Sequence, residues 1–420
     1  MLSRKSQLTN KELIVLLSGL LVFVALLVLI SRTYVPDEIA YLYNVRYIEK
    51  YGLSKEYLIR HYGSAGPLYS VIHWILEPVT QLRVSFIRLV NIFFLLGSIY
   101  FISRLLKVFQ VSSIFAFTTL AIPMTYVISG LALTEMPAIF FFSIGIFLII
   151  KTTTVNPPYP IAILQLLTGG ICISLAILGR QPYLLTLGAL PILFFNNKKF
   201  EWRSILLLLT LVASLALPTF VFLIWNGLVA PYDSTYYYDK IAQKGIFFRP
   251  DFFLLCLAYF AIILFIIAPA FFLKPQKKEI ISLGFIYIIL IVVNYKFQLI
   301  PLLPLKSLSI KFVPSEYLDL VYAFFSAFFE LIGIFFLITL YQQLRKNIFQ
   351  RELLFFSVAA LLIALSCMKI TFQFSSRYAA QATPLLIPIC SFFYKRYSSN
   401  FYRMAAGVII GLIAYTFYIM

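Results

Sequence analysis

The 420-residue chain carries 34 Lys and Arg against 16 Asp and Glu, a formal charge of +18, and 62% of it is hydrophobic with a mean hydropathy of +0.94. A soluble domain has roughly half its residues apolar and about a quarter charged, so a water-soluble fold is excluded and lipid must solvate most of this chain. The basic residues punctuate apolar segments instead of forming one stripe, which argues against nucleic acid, and Cys172, Cys256, Cys367 and Cys390 have neither CxxC spacing nor a neighbouring His, which argues against a disulfide framework or a zinc site.

Hydropathy places about thirteen candidate spans, near 12–31, 84–105, 111–130, 136–150, 161–178, 182–195, 204–226, 251–273, 281–295, 321–343, 352–370, 379–394 and 404–420. The first follows a basic start (Arg4, Lys5, Lys11) and is too long for a signal-peptide core, so it is read as retained. The predicted fold is all-α: a polytopic bundle in one membrane-embedded domain over 1–420, with 32–83 as a first extracytoplasmic loop and 84–420 as the remaining spans. With a cytoplasmic N-terminus, the short inner segments hold Lys107, Lys151, Lys198, Lys199, Arg203, Lys274, Lys277, Lys278, Arg345, Lys346, Arg351, Lys395, Arg396 and Arg403, as the positive-inside rule requires. The outer segments hold most of the acids, so any chemistry is expected on the extracytoplasmic side.

Two juxtamembrane helices are expected in the first outer loop, one from Pro36 to Ile48 and one from Pro67 to Leu76. Asp37 and Glu38 follow Pro36 and admit two readings. They are first-turn acids that complement the helix dipole, or they include a general base at the membrane surface. Glu135 stands at the mouth of a span, with Thr134 placed to cap the helix and Pro137 in its first turn. Arg180 and Arg377 occupy outer turns, either as snorkelling arginines or as guanidinium clamps for a phosphate. His61 is a possible hydrogen-bonding or phosphate contact, His73 beside Trp74 a packed interfacial residue, and no metal site is supported. Tyr236–Tyr238 with Asp233 and Asp239 read as an aromatic belt or a sugar platform, and Lys306 and Lys311 as lipid or donor contacts. Glu330 is the main acid that falls inside a span.

The Asp37–Glu38 pair just after the first span, Tyr41, the Pro67-Leu68-Tyr69 helix and Arg88-Leu89 at the second span resemble the GT-C superfamily of glycosyltransferases. The pattern is similar to protein O-mannosyltransferases and lipid A aminoarabinose transferases, and Pro67-Leu68-Tyr69 resembles a segment of the dolichol-dependent alpha-1,2-glucosyltransferase. The resemblance covers roughly residues 32–150, including Leu133-Thr134-Glu135-Met136-Pro137 as a second acidic motif. Beyond that it persists only at Gly179-Arg180-Gln181, Trp225-Asn226-Gly227 and Ser376-Arg377-Tyr378. Ser64, Ala65 and Gly66 stand where the lipid A relatives carry a lysine, so that group is not carried over.

The resemblance implies an inverting transferase that takes a sugar from a polyprenyl-phosphate donor to a lipid, glycan or protein acceptor. Asp37, Glu38 and Glu135 would be the catalytic acids, and Arg180, Arg377, His61, Tyr69 and Tyr41 would contact substrate or phosphate. No cofactor is expected, and the plasma (inner) membrane is the expected location. The competing classes are a transporter or flippase, which favours internal repeats and mid-span charges, and a lipid-pyrophosphate-dependent glycan polymerase or ligase.

Overall fold

The computed structural model describes residues 8–30, 33–63, 65–194, 200–231, 248–273, 275–297, 310, 312–347, 350–369 and 374–419. Tyr236–Tyr238, Asp233, Asp239, Lys198, Lys199, Lys274, Lys306 and Lys311 therefore lie outside the described residues. Among the described residues the chain is helical, with no strand. The helices are α1 (Asn10–Ile30), α2 (Pro36–Tyr51), α3 (Lys55–Arg60), α4 (Leu68–Ile75), α5 (Glu77–Thr80), α6 (Val84–Val108), α7 (Pro123–Gly130), α8 (Glu135–Val155), α9 (Tyr159–Gly179) and α10 (Pro182–Thr186). They continue as α11 (Pro191–Phe194), α12 (Phe200–Trp225), α13 (Pro250–Ile267), α14 (Lys277–Phe297), α15 (Leu318–Lys346), α16 (Arg351–Ser366), α17 (Arg377–Ala380), α18 (Thr383–Phe393) and α19 (Asn400–Ile419).

Ten helices among the described residues are long and apolar enough to cross a membrane, or eleven if one bent pair counts as a span. The chain is thus an integral, multi-pass membrane protein. The other apolar segments depart from straight spans for local reasons. Segment 111–130 is a 3-10 turn, Ser113–Ala121, joined to α7 at 82°. Ile122 is extended there (φ −83°, ψ 114°) and Pro123 cannot donate a backbone hydrogen bond, so the helix cannot continue through it. Segment 182–195 is broken into α10, a 3-10 turn at Leu187–Ala189 and α11, where Pro191 restarts the helix. Helix α18 has 11 residues, about 16 Å at the usual rise, which is half a bilayer core.

Helices α8 and α9 form an antiparallel pair, with α6 packed on α8 and α12 on α9. Helix α1 lies beside α19, which also packs on α7. Helices α13, α14 and α15 form a second group, and α16 packs between α10 and α18. The two helices expected in the first outer loop are present as α2 and α4, which pack on each other. The indole of Trp225 donates to the Leu58 carbonyl (2.7 Å), which ties the end of α12 to α3.

Candidate functional site

Helix α2 begins where the sequence suggested, with Pro36 in its first turn and Val35 extended before it. The Glu38 carboxylate folds back to accept from the Val35 amide (2.7 Å), which is the first-turn capping expected of an acid there. It also accepts from the Ala132 amide at 2.5 Å, from Arg88 Nε at 2.8 Å and from Arg88 Nη2 at 2.6 Å. Glu38 and Arg88 are both fully buried, and Arg88 Nη2 reaches the Thr33 carbonyl as well (3.0 Å). Asn91, one turn further along α6, donates to the Leu131 carbonyl at 2.6 Å. With four donors on one carboxylate, Glu38 fastens the start of α2 to α6 and to the 131–134 turn.

Asp37 is the acid that this fastening presents. Its side chain is 56% exposed and pairs with Arg377 Nη1 at 3.1 Å. Burial opposes the charge on Arg377, but Glu135, Tyr41 and Asp37 outweigh it and raise its pKa. Glu135, at the start of α8, is fully buried and ion-paired with Arg180, which follows α9. The pair is incompletely satisfied: Glu135 Oε2 and Arg180 Nε have no hydrogen-bond partner. Thr134 does not cap α8 as the sequence suggested, and its hydroxyl is buried without a partner.

Tyr41 lies within electrostatic reach of both pairs. Its phenol is pushed above its usual range by burial, and it lies within the fields of Arg180, Glu135, Arg377 and Asp37. Tyr183, stacked on Phe142 with ring centroids 4.3 Å apart, feels Arg180 and Glu135 and donates to the Gln381 carbonyl at 2.8 Å. Residues from α2, α8, the α9–α10 turn and α17 are thereby gathered at one end of the bundle. Compared with family models, curated proteins and solved structures, the chain finds no match.

The remaining sequence candidates fall into two groups. Tyr69 is buried next to Tyr41, ring centroids 5.9 Å apart, and its hydroxyl has no partner. It packs on His73 at 4.2 Å, and burial pushes that imidazole down to about 3. His61 is held elsewhere: Nε2 meets the Ala65 carbonyl at 3.0 Å, Nδ1 meets the Tyr57 hydroxyl at 3.3 Å, and the ring stacks on Trp225. Burial pushes His61 down to about 4, so it is neutral near pH 7 and offers no charge to a phosphate. A Cβ on Gly66 would collide with the Leu178 carbonyl at the end of α9.

Sequence reasoning quoted Arg88 but did not weigh it as a site residue. The signal was available: an arginine in the second turn of an apolar span needs a buried partner. Arg249 and Asp251 were missed altogether. They form a bidentate buried pair, 2.9 and 2.6 Å, at the start of α13.

Chemically, the two acids after Pro36 differ. Both oxygens of Glu38 are occupied, by Arg88 and by the Val35 and Ala132 amides. Asp37 has a single ion-pair partner and an open side, so it can take a proton from an incoming hydroxyl. The two arginines offer planar donors suited to phosphate oxygens.

Proposed function

We propose that the chain is a membrane glycosyltransferase of GT-C type, moving a sugar from a polyprenyl-phosphate donor to a lipid, glycan or protein acceptor on the extracytoplasmic face. The observation that carries this reading is the convergence of the Asp37–Arg377 and Glu135–Arg180 pairs near Tyr41, at the end of the bundle opposite its basic inner segments. The resemblance around Asp37–Glu38, Pro67-Leu68-Tyr69 and Leu133–Pro137 supports it.

In this mechanism Asp37 accepts the proton of the acceptor hydroxyl as its oxygen attacks the anomeric carbon. The bond from that carbon to the phosphate oxygen breaks on the opposite face, so configuration inverts. Polyprenyl phosphate leaves with the electron pair and needs no proton, only cations to stabilise the charge that develops, a role for Arg180 and Arg377. Glu38 holds α2 and Glu135 holds Arg180.

The test is to incubate the purified protein with a panel of polyprenyl-phosphate sugars and to measure released polyprenyl phosphate. One donor should turn over, and Asp37→Asn should lower the rate at least about 100-fold, the usual contribution of a general base. Undiminished turnover in Asp37→Asn would remove Asp37 from this role, and no turnover with any donor would sink the reading. A transporter is the second reading; the buried, mid-span Glu330 favours it.

A further inference from the structure

Glu330 lies in α15, buried within a membrane span, and faces the one polar residue that α14 turns inward. Helix α14 is apolar, only 6% of its span window is buried, and Asn294 is the sole buried residue along it. The Asn294 amide nitrogen uses both protons, one to the Leu290 carbonyl at 2.9 Å and one to Glu330 Oε2 at 2.9 Å. Two acceptors are left over. Glu330 Oε1 and Asn294 Oδ1 are both buried with no hydrogen-bond partner.

A buried carboxylate without a counter-charge is costly, and two orphaned acceptors on facing groups add to that cost. Among the described residues, the charged groups within electrostatic reach are Asp251 and Arg249, at the start of α13. The Arg249 guanidinium is already taken by the two oxygens of Asp251, so that pair supplies Glu330 with no free cation. On α14 itself, the Tyr287 hydroxyl is directed to the Phe324 carbonyl at 3.3 Å.

We propose that Glu330 and Asn294 form a proton-binding site, in which one proton on Glu330 Oε1 is donated to Asn294 Oδ1 and clips α14 to α15. The carboxylic acid and the carboxamide then face each other as a closed pair with two hydrogen bonds, each group donating once and accepting once. No other ligand is needed to satisfy the two orphaned oxygens. Loss of the proton leaves Glu330 Oε1 and Asn294 Oδ1 as opposed acceptors and reduces the pair to the single Asn294–Glu330 bond, which loosens the end of α14 that carries Asn294, while Gln342, donating to Glu279 at 2.8 Å, holds its other end to α15.

The site predicts a clear asymmetry among substitutions. Glu330→Gln carries a permanent donor in place of the acid proton and keeps the closed pair, whereas Glu330→Ala removes it. Infrared spectra of the full chain in lipid nanodiscs at neutral pH should contain a protonated-carboxyl carbonyl band that Glu330→Gln lacks. Identical spectra in that region would mean that Glu330 is ionised and would overturn the proposal. Spin labels introduced by Ile288→Cys on α14 and Phe325→Cys on α15, both exposed positions, should give the same distance distribution in wild type and Glu330→Gln. The distribution should be broader in Glu330→Ala. Broadening in Glu330→Gln equal to that in Glu330→Ala would overturn the clip, and the infrared measurement does not depend on either variant's helix packing.

Discussion

Two neighbouring carboxylates, Asp37 and Glu38, are expected to respond to substitution in opposite ways. Glu38 and Arg88 are buried together, so Glu38→Gln leaves a guanidinium in the interior facing a neutral amide. Breaking a buried pair costs roughly 3–5 kcal/mol, and the melting temperature of the detergent-purified protein should fall accordingly. Replacing both, as Glu38→Met with Arg88→Met, should cost less than either single change, because no charge is stranded. A double variant worse than both singles would show that the pair stabilises in its own right. Asp37→Asn acts on a side chain 56% exposed, where ion pairs contribute little. Its unfolding free energy should stay within about 0.5 kcal/mol of wild type, separating lost activity from lost fold. The sequence could place these acids at the start of a surface helix but could not divide their roles. That division depends on Arg88, 50 residues away, and on the Ala132 amide, 94 residues away. Both are contacts that only the assembled bundle makes.

At the scale of elements, the α8–α9 pair depends on an absence of side chains. A Cβ on Gly145 would stand 2.8 Å from the Gly169 carbonyl, and one on Gly169 would stand 3.2 Å from the Gly145 carbonyl. Small residues let spans approach closely in lipid, where packing drives association. Gly169→Val should therefore push the helices apart and cost about 1–3 kcal/mol, the usual range for overpacking. The ion pair Glu135–Arg180 joins the start of α8 to the residue after α9, so the same variant should also lower turnover. Unchanged melting and unchanged turnover would show that the crossing has slack. Hydropathy located each of these helices, and the spacing of apolar residues located the first loop's α2 and α4, with α2 running three residues beyond the expected Ile48 and α4 within one residue at each end. It did not separate crossing helices from bent or half-length ones. The break at Ile122–Pro123 and the interruption around Leu187–Pro191 are set by backbone hydrogen bonding, which an apolar average does not register. Helix α18 is short because its chain first runs through α17, which brings Arg377 to Asp37.

Across the whole molecule, the two ends of the bundle differ in what holds them together. One end carries Glu38–Arg88, Glu135–Arg180 and Asp37–Arg377, drawn from distant segments. At the other end, Tyr394 donates to Glu12 at 3.2 Å, Arg351 reaches the Leu193 carbonyl at 3.0 Å, and Gln343 reaches the Phe271 carbonyl at 2.6 Å. Lys107, Lys151, Arg345, Lys346, Arg396 and Arg403 belong to helix ends and turns of this second end. Insertion tends to retain short basic segments in the cytoplasm, so the proposed orientation turns the acidic and arginine-rich end outward, where a polyprenyl-phosphate sugar would be met. The four cysteines at 172, 256, 367 and 390 are buried, so single introduced thiols can report sidedness over a low background. In intact cells, a membrane-impermeant maleimide should label Leu53→Cys, 58% exposed beyond α2, and should leave Val155→Cys, 60% exposed at the end of α8, unlabelled until the membrane is permeabilised. The inverse pattern would place Asp37 in the cytoplasm. Nucleotide-activated sugars would then be within reach, and a lipid-linked donor, which is inferred from the outward side, would no longer be required even if every ion pair in the cluster were intact.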